Sequence, residues 1–183
     1  YIISNRGELL CLDMNGQSDG NNGPFKDEGQ FMVSKGRPAA KLNKSDADII
    51  WRYDTLAELP VRPHDAVSCA VLIHGDLLYA GTSNAVDLSH INVQYPDAPS
   101  LIVLNKRTGK LAARDNEKIA SRMLHGQWSS PAMGKVGGKT LVFYGAGDGI
   151  LYAFEALSKT PGGGKVATLK KVWAYDCNPR DYR

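Results

Sequence analysis

Apolar and polar residues alternate, or apolar residues run unbroken for four to seven positions, at 1–4, 9–12, 49–53, 67–73, 77–81, 101–104, 140–145, 150–154 and 169–175. Val, Ile, Leu and Tyr are prominent in these runs. Turn-forming residues bound them: Asn5-Arg6-Gly7, His74-Gly75-Asp76, Thr108-Gly109-Lys110, Gly137-Gly138 and Gly147-Asp148-Gly149. This is the period and punctuation of short β-strands joined by tight turns. Helical periodicity shows only at 117–124, enough for a turn or two. The pattern predicts an all-β chain.

The strands form a phrase stated three times: an apolar strand, a tight turn, and a second apolar strand ending on an acid or amide. The copies begin at Tyr1, Tyr79 and Phe143, and their turns align on Gly7, Ala85 and Gly149. A further strand follows each: Trp51-Arg52-Tyr53-Asp54, then Ala112-Ala113-Arg114-Asp115 with its Trp missing, then Trp173-Ala174-Tyr175-Asp176. A short all-β unit recurring about every sixty residues predicts the blades of a β-propeller. The expected units are 1–54, 55–115 and 116–183 of one domain, with insertions at 17–48 and 86–99. Three blades fall short of the about four that close a propeller, and each blade buries its faces only against neighbours. The chain therefore reads as a partial β-propeller, a piece of a longer protein whose other blades are its first partners.

Composition narrows the function classes. Of 183 residues 43% are apolar, and the net charge of +3 is spread as single Lys and Arg among acids. The densest basic stretch, 165–171, is interrupted by Val166, Ala167, Thr168 and Leu169 and reads as strand alternation, not a nucleic-acid surface. No run approaches the ~18 apolar residues of a membrane span. Cys11, Cys69 and Cys177 are too few and too odd for a disulfide framework. The first two read as buried free thiols; Cys177, in a loop, is free to pair outside this sequence.

Several motifs invite chemistry. Gly134-Lys135-Val136-Gly137-Gly138-Lys139-Thr140 ends like a phosphate loop, but Met133 stands where the first Gly belongs and a strand follows, so a hairpin turn is expected. Asp148 between glycines reads as a turn residue. The acidic, Gly-rich residues 18–36 suggest a long excursion, mobile or lid-like, and fail the calcium-loop pattern at Ser18 and Pro24. His64, His74, His90 and His125 show no pair spacing suited to zinc, so no metal centre is expected from them. His125-Gly126-Gln127-Trp128 packs polar and aromatic groups into a Gly-hinged loop, which suits either structural packing or ligand contact through His125, Gln127 and Trp128.

Leu104-Asn105-Lys106-Arg107-Thr108-Gly109-Lys110 resembles the Leu-Asp-x-x-Thr-Gly-Lys turn of the pyrroloquinoline-quinone-type propeller repeat family. Gly149-Ile150-Leu151-Tyr152-Ala153-Phe154 is similar to its Gly-x-Leu-Tyr-Ala-Leu strand, and Trp51 and Trp173 resemble the family's closing Trp, which docks one blade on the next. The resemblance implies a propeller of seven or eight four-stranded blades and an exported, periplasmic or extracellular protein. The middle copy looks closest to the quinoprotein alcohol dehydrogenases. Gly81-Thr82-Ser83-Asn84 resembles their Gly-x-x-Asn segment, which makes Asn84 the implied calcium ligand and cofactor contact. The segment ending in their catalytic Asp resembles His125-Gly126-Gln127-Trp128-Ser129, so that base falls on Ser129 and the preceding acid on Gly126. The Trp that stacks on the quinone falls on Ala66.

Ser129 cannot act as a carboxylate base and Ala66 offers no stacking face. The expectation is a quinoprotein-like propeller that is not catalytic, binds neither quinone nor calcium, and serves as a binding or scaffolding module. Residues 17–48, 86–99 and the His125 to Trp128 loop are the expected contact regions for a protein partner. One alternative is a working alcohol dehydrogenase with the quinone and with calcium on Asn84. Another is an extracellular glycan-binding or glycan-acting propeller, suggested by Tyr95 and Trp128.

Overall fold

A computed structural model of the chain describes residues 1–65 and 67–182. The protein is all-β, a partial propeller of three successive sheets. The first comprises β1 (Ile2–Ile3), β2 (Glu8–Leu12) and β3 (Ile49–Asp54), paired antiparallel in that order. The second is a meander of β4 (Leu72–His74), β5 (Leu77–Gly81), β6 (Leu101–Asn105) and β7 (Leu111–Arg114). The third comprises β8 (Ala132–Val136), β9 (Lys139–Gly145), β10 (Ile150–Glu155) and β12 (Lys171–Asp176).

The four-stranded expectation holds for the third sheet alone. β11 (Ala167–Thr168) crosses to the second sheet, where it runs parallel to β7 as a fifth strand. The apolar alternation at 169–175 is thus not one strand. Leu169 is buried and donates its N–H to the Arg114 carbonyl, after which the chain returns to β10. Residues 67–71 form no strand, whereas 132–136, unassigned from sequence, do. Among the described residues five short helical turns occur, at Gly16–Asp19, Glu28–Phe31, Thr55–Glu58, Arg180–Tyr182 and, within the 117–124 segment, Ile119–Arg122.

Packing explains why β5 and β6 lack alternation. Leu78, Ala80, Ile102 and Leu104 face a core shared with Leu9, Trp51 and Tyr53 of the first sheet. Leu77, Tyr79, Leu101 and Val103 face a second core with Val142, Tyr144, Tyr152 and Phe154 of the third. A strand buried on both faces needs apolar residues at every position. β12, by contrast, is exposed throughout, with Trp173 at 38%.

Between the first two sheets, Trp51 is the clasp. Its Nε1–H donates 2.9 Å to the Lys106 carbonyl, and its ring lies on Gly109, where a Cβ would stand 2.6 Å from the indole. The 17–48 excursion is packed onto the first sheet. Buried Glu28 accepts from the Ile49 N–H (3.2 Å) and Asn21 Nδ2 (2.9 Å), and Asp48 accepts from the Asn22 N–H. Cys69 is buried, Cys11 only half-buried, and Cys177 exposed; all three are free thiols. Gly137 and Gly138, both at positive φ, form the β8–β9 hairpin turn expected of them.

Candidate functional site

Loops at one end of the second sheet bring together most of the residues singled out in the sequence. Their base is a set of buried polar side chains: Thr82, Ser83, Asn84, Ser100, Asp115 and Gln127. Burial removes water, so partners must come from the protein, and Ser83 Oγ alone of this set is left without one. Asn84 is fully engaged. Its Oδ1 accepts from the Arg62 N–H (2.8 Å), its Nδ2 donates to the Tyr95 carbonyl (2.9 Å), and its own carbonyl accepts from Gln127 Nε2 (2.8 Å). Gln127 Nε2 also donates to Ser100 Oγ at 2.8 Å, and Tyr144 donates its hydroxyl to Gln127 Oε1.

The remaining contacts close the 86–99 insertion at its root. Thr82 Oγ1 donates to the Pro99 carbonyl (2.7 Å), and Asp115 accepts from the N–H groups of Ser100 and Leu101, each at 2.7 Å. Burial pushes the Asp115 carboxyl above its ordinary value despite these donors. The register of the three turns breaks here. Gly7 and Gly149 take positive φ, but in the middle copy that conformation falls on Ser83 (φ 55°) instead of Ala85. The insertion displaces the turn, and Asn84 forms an isolated bridge with Pro63.

Asn84 and Gly126, which the resemblance assigns to the quinone and calcium site, are engaged within the fold itself. Asn84 is 0% exposed, with both side-chain polar atoms engaged by main chain. At Gly126 a Cβ would stand 2.6 Å from the ring of the partly exposed Trp128, so the acid that the resemblance places there would have to displace that ring. Ser129 is exposed at the surface. Ala66 lies outside the described residues. Asp148, the turn acid of the third copy, is bound to Arg122 (2.9 Å) and to the Tyr152 hydroxyl (2.7 Å), a structural clasp on β10.

Above the polar base the histidines converge, contrary to the expectation from their spacing. His64, His90 and His125 each place one ring nitrogen within 4.8 Å of the others. Ring centroids are 4.5 Å apart for His64 and His90, 4.6 Å for His64 and His125, and 5.0 Å for His90 and His125, whose planes are nearly parallel at 18°. Trp128 lies edge-on to His125 at 5.6 Å. His64 comes from the segment before β4, His90 from the tip of the insertion and His125 from the loop before β8. Main-chain bonds hold the three loops: the Val86 N–H donates to the His125 carbonyl, and the Ala85 N–H to Arg62.

His74, at the end of β4, is not part of the cluster. Spacing rules register ligands that share one local element, whereas these three come from three loops and meet only because the insertion folds back. One signal was available: His90 and His125 both lie in segments already marked as contact regions. Around them, Leu88, Ile91 and Leu124 are 90%, 80% and 86% exposed, and a depression of about 370 Å³ adjoins His64, lined also by Arg62, Asp65, Asp87 and Gln94.

No family model matches the chain, and no curated protein matches it. Among solved structures it is similar to the quinohemoprotein alcohol dehydrogenase ADHIIG from Pseudomonas putida HK5, at 18% sequence identity and a TM-score of 0.43, over 71% of this chain. The matched region spans 16% of that enzyme's length.

Proposed function

We propose that this chain is part of a non-catalytic, quinoprotein-like propeller in an exported protein, in which the loops at one end of the middle sheet form a binding or scaffolding surface for a protein partner. The observation that supports this most is the engagement of Asn84. A calcium ligand must turn an oxygen toward the ion, at about 2.3–2.6 Å. The Asn84 oxygen instead accepts from the main chain of residue 62, and its amide holds the root of the insertion. The clash of any side chain at Gly126 with Trp128 argues the same way.

The surface role is favoured by the three apolar side chains, Leu88, Ile91 and Leu124, left almost fully in water beside a rigid polar base. Isolated exposed apolar residues are ordinary; three on loops joined by main-chain hydrogen bonds form a site for contact.

The test is dye-coupled alcohol oxidation by the full-length protein after incubation with pyrroloquinoline quinone and calcium. No turnover is expected. Turnover that Asn84→Ala abolishes in a folded protein would overturn the reading and restore the dehydrogenase alternative.

A further inference from the structure

We infer that His64, His90 and His125 form a binding site for one first-row transition metal ion of the zinc class, independent of any quinone or calcium site. Two observations point to it. The first is the state of His64, a side chain only 2% exposed. Its Nδ1 lies 3.2 Å from the Val86 carbonyl, an oxygen that can only accept, so Nδ1 carries the proton. The lone pair is then on Nε2. That atom is buried and has no hydrogen-bond partner, and the Asp65 carboxylate oxygen stands off at 3.6 Å. A buried acceptor without a donor is destabilising. An imidazole fixed through one nitrogen by a main-chain carbonyl, with the other nitrogen free, has the hydrogen-bonding arrangement of a metal ligand.

The second observation is distance. Two ligands at about 2.05 Å from a tetrahedral ion stand about 3.3 Å apart. His90 Nδ1 and His125 Nδ1 are 3.4 Å apart. Without an ion this approach is tolerable only if one nitrogen donates to the other. With an ion both offer lone pairs and the approach becomes the chelate edge. A ring nitrogen of His64 lies within 4.8 Å of one ring nitrogen on each of His90 and His125, and closing such a gap to about 3.3 Å needs a shift of about 1.5 Å or less, within reach of rotation about the exposed side chains of the surface loops.

The donor set defines the ion. Three neutral imidazoles suit Zn²⁺, Co²⁺, Ni²⁺ and Cu²⁺, whereas Ca²⁺ and Mg²⁺ require oxygen ligands. Among the described residues the cluster itself is three imidazoles, with the Asp65 carboxylate 3.6 Å from His64 Nε2, while Asp87 accepts from the Ser89 N–H and Ser89 Oγ at the insertion tip, where His90 takes φ 61°. Three protein ligands leave at least one coordination position for water or for a group entering from the depression beside His64. The ion also ties the insertion, the segment before β4 and the loop before β8 to one point.

Calorimetric titration of the metal-free full protein with Zn²⁺, and with Co²⁺ while its visible absorption is followed, tests the site. The expected result is one equivalent bound per chain, with Co²⁺ bands of a four-coordinate nitrogen site and no competition from Ca²⁺. His90→Ala and His125→Ala should each weaken binding by about a hundredfold or more, while His74→Ala, outside the cluster, leaves it unchanged. In the wild-type protein, histidine ¹⁵N shifts should show His64 coordinated through Nε2 with Nδ1 still protonated. The inference is overturned if the wild type binds no stoichiometric Zn²⁺, if binding survives both alanine variants, or if the ¹⁵N shifts of His64 do not move. The quinone assay is independent of all three outcomes.

Discussion

Trp51 of the first sheet lies directly on Gly109 of the second, and its indole N–H reaches past that glycine to the Lys106 carbonyl. Two separate constraints therefore meet at Gly109. It sits at φ +68°, a conformation that costs another residue about 1–2 kcal/mol, and a side chain there would displace the indole. Gly109→Ala is expected to destabilise the protein by about 2–4 kcal/mol in urea denaturation. A loss below about 0.5 kcal/mol would mean that the two sheets are not joined here.

Asn84 closes the insertion from beneath. Removing its amide in Asn84→Ala takes the side-chain partner from the part-buried Arg62 N–H and Tyr95 carbonyl, a cost of about 1–3 kcal/mol. Asn84→Asp should also destabilise, because it sets a carboxylate oxygen against the Tyr95 carbonyl. Hydrogen exchange should report faster opening at 86–99 in both variants. Unchanged protection there would remove Asn84 from its structural role.

Alkaline stability should be limited by buried tyrosines. Burial, with a smaller contribution from Glu58, pushes the Tyr53 hydroxyl from 10.0 up to about 12. The folded state therefore holds its proton where the unfolded chain releases it, and stability falls as pH rises from 10 to 12, by up to about 1.4 kcal/mol per unit from this group. Tyr53→Phe should be nearly neutral at pH 7 and flatten that decline. Identical slopes for the two proteins in urea melts across this window would contradict the assignment.

Asp115 should behave in the same sense at the acid end. Its carboxyl is raised from 3.8 chiefly by burial, so its contribution is full below 3.8 and is lost as pH rises through the raised folded value. The stability difference between wild type and Asp115→Asn should accordingly shift against the wild type as pH climbs from 3.5 toward neutrality. A difference independent of pH would show that the carboxyl titrates as it does in the unfolded chain.

The strands and their turns were legible because alternation and Gly placement are local, and Trp51 was legible as a docking residue through the resemblance of its strand to the closing Trp of the propeller repeat. Elsewhere tertiary contact decided. β11 is two residues long and leaves its own sheet to pair with β7, which no periodicity records. The stretch 67–71 is apolar enough for a strand, yet it remains irregular, with Ala70 donating its N–H to Ser130 Oγ. At the candidate site, Asn84 was recognisable as exceptional from its segment, but its hydrogen-bond partners, 22 and 11 residues away, were not. The histidines were invisible as a group because the insertion alone brings them together.

The central claim is that the middle sheet keeps the propeller fold without a quinone and calcium site. Its most direct test is the thermal midpoint of the full-length protein, measured with and without pyrroloquinoline quinone plus calcium. The account predicts no shift in the wild type, and in Asn84→Ala a lower midpoint that is equally indifferent to both additives. A rise of several degrees in the wild type that disappears in Asn84→Ala would contradict it.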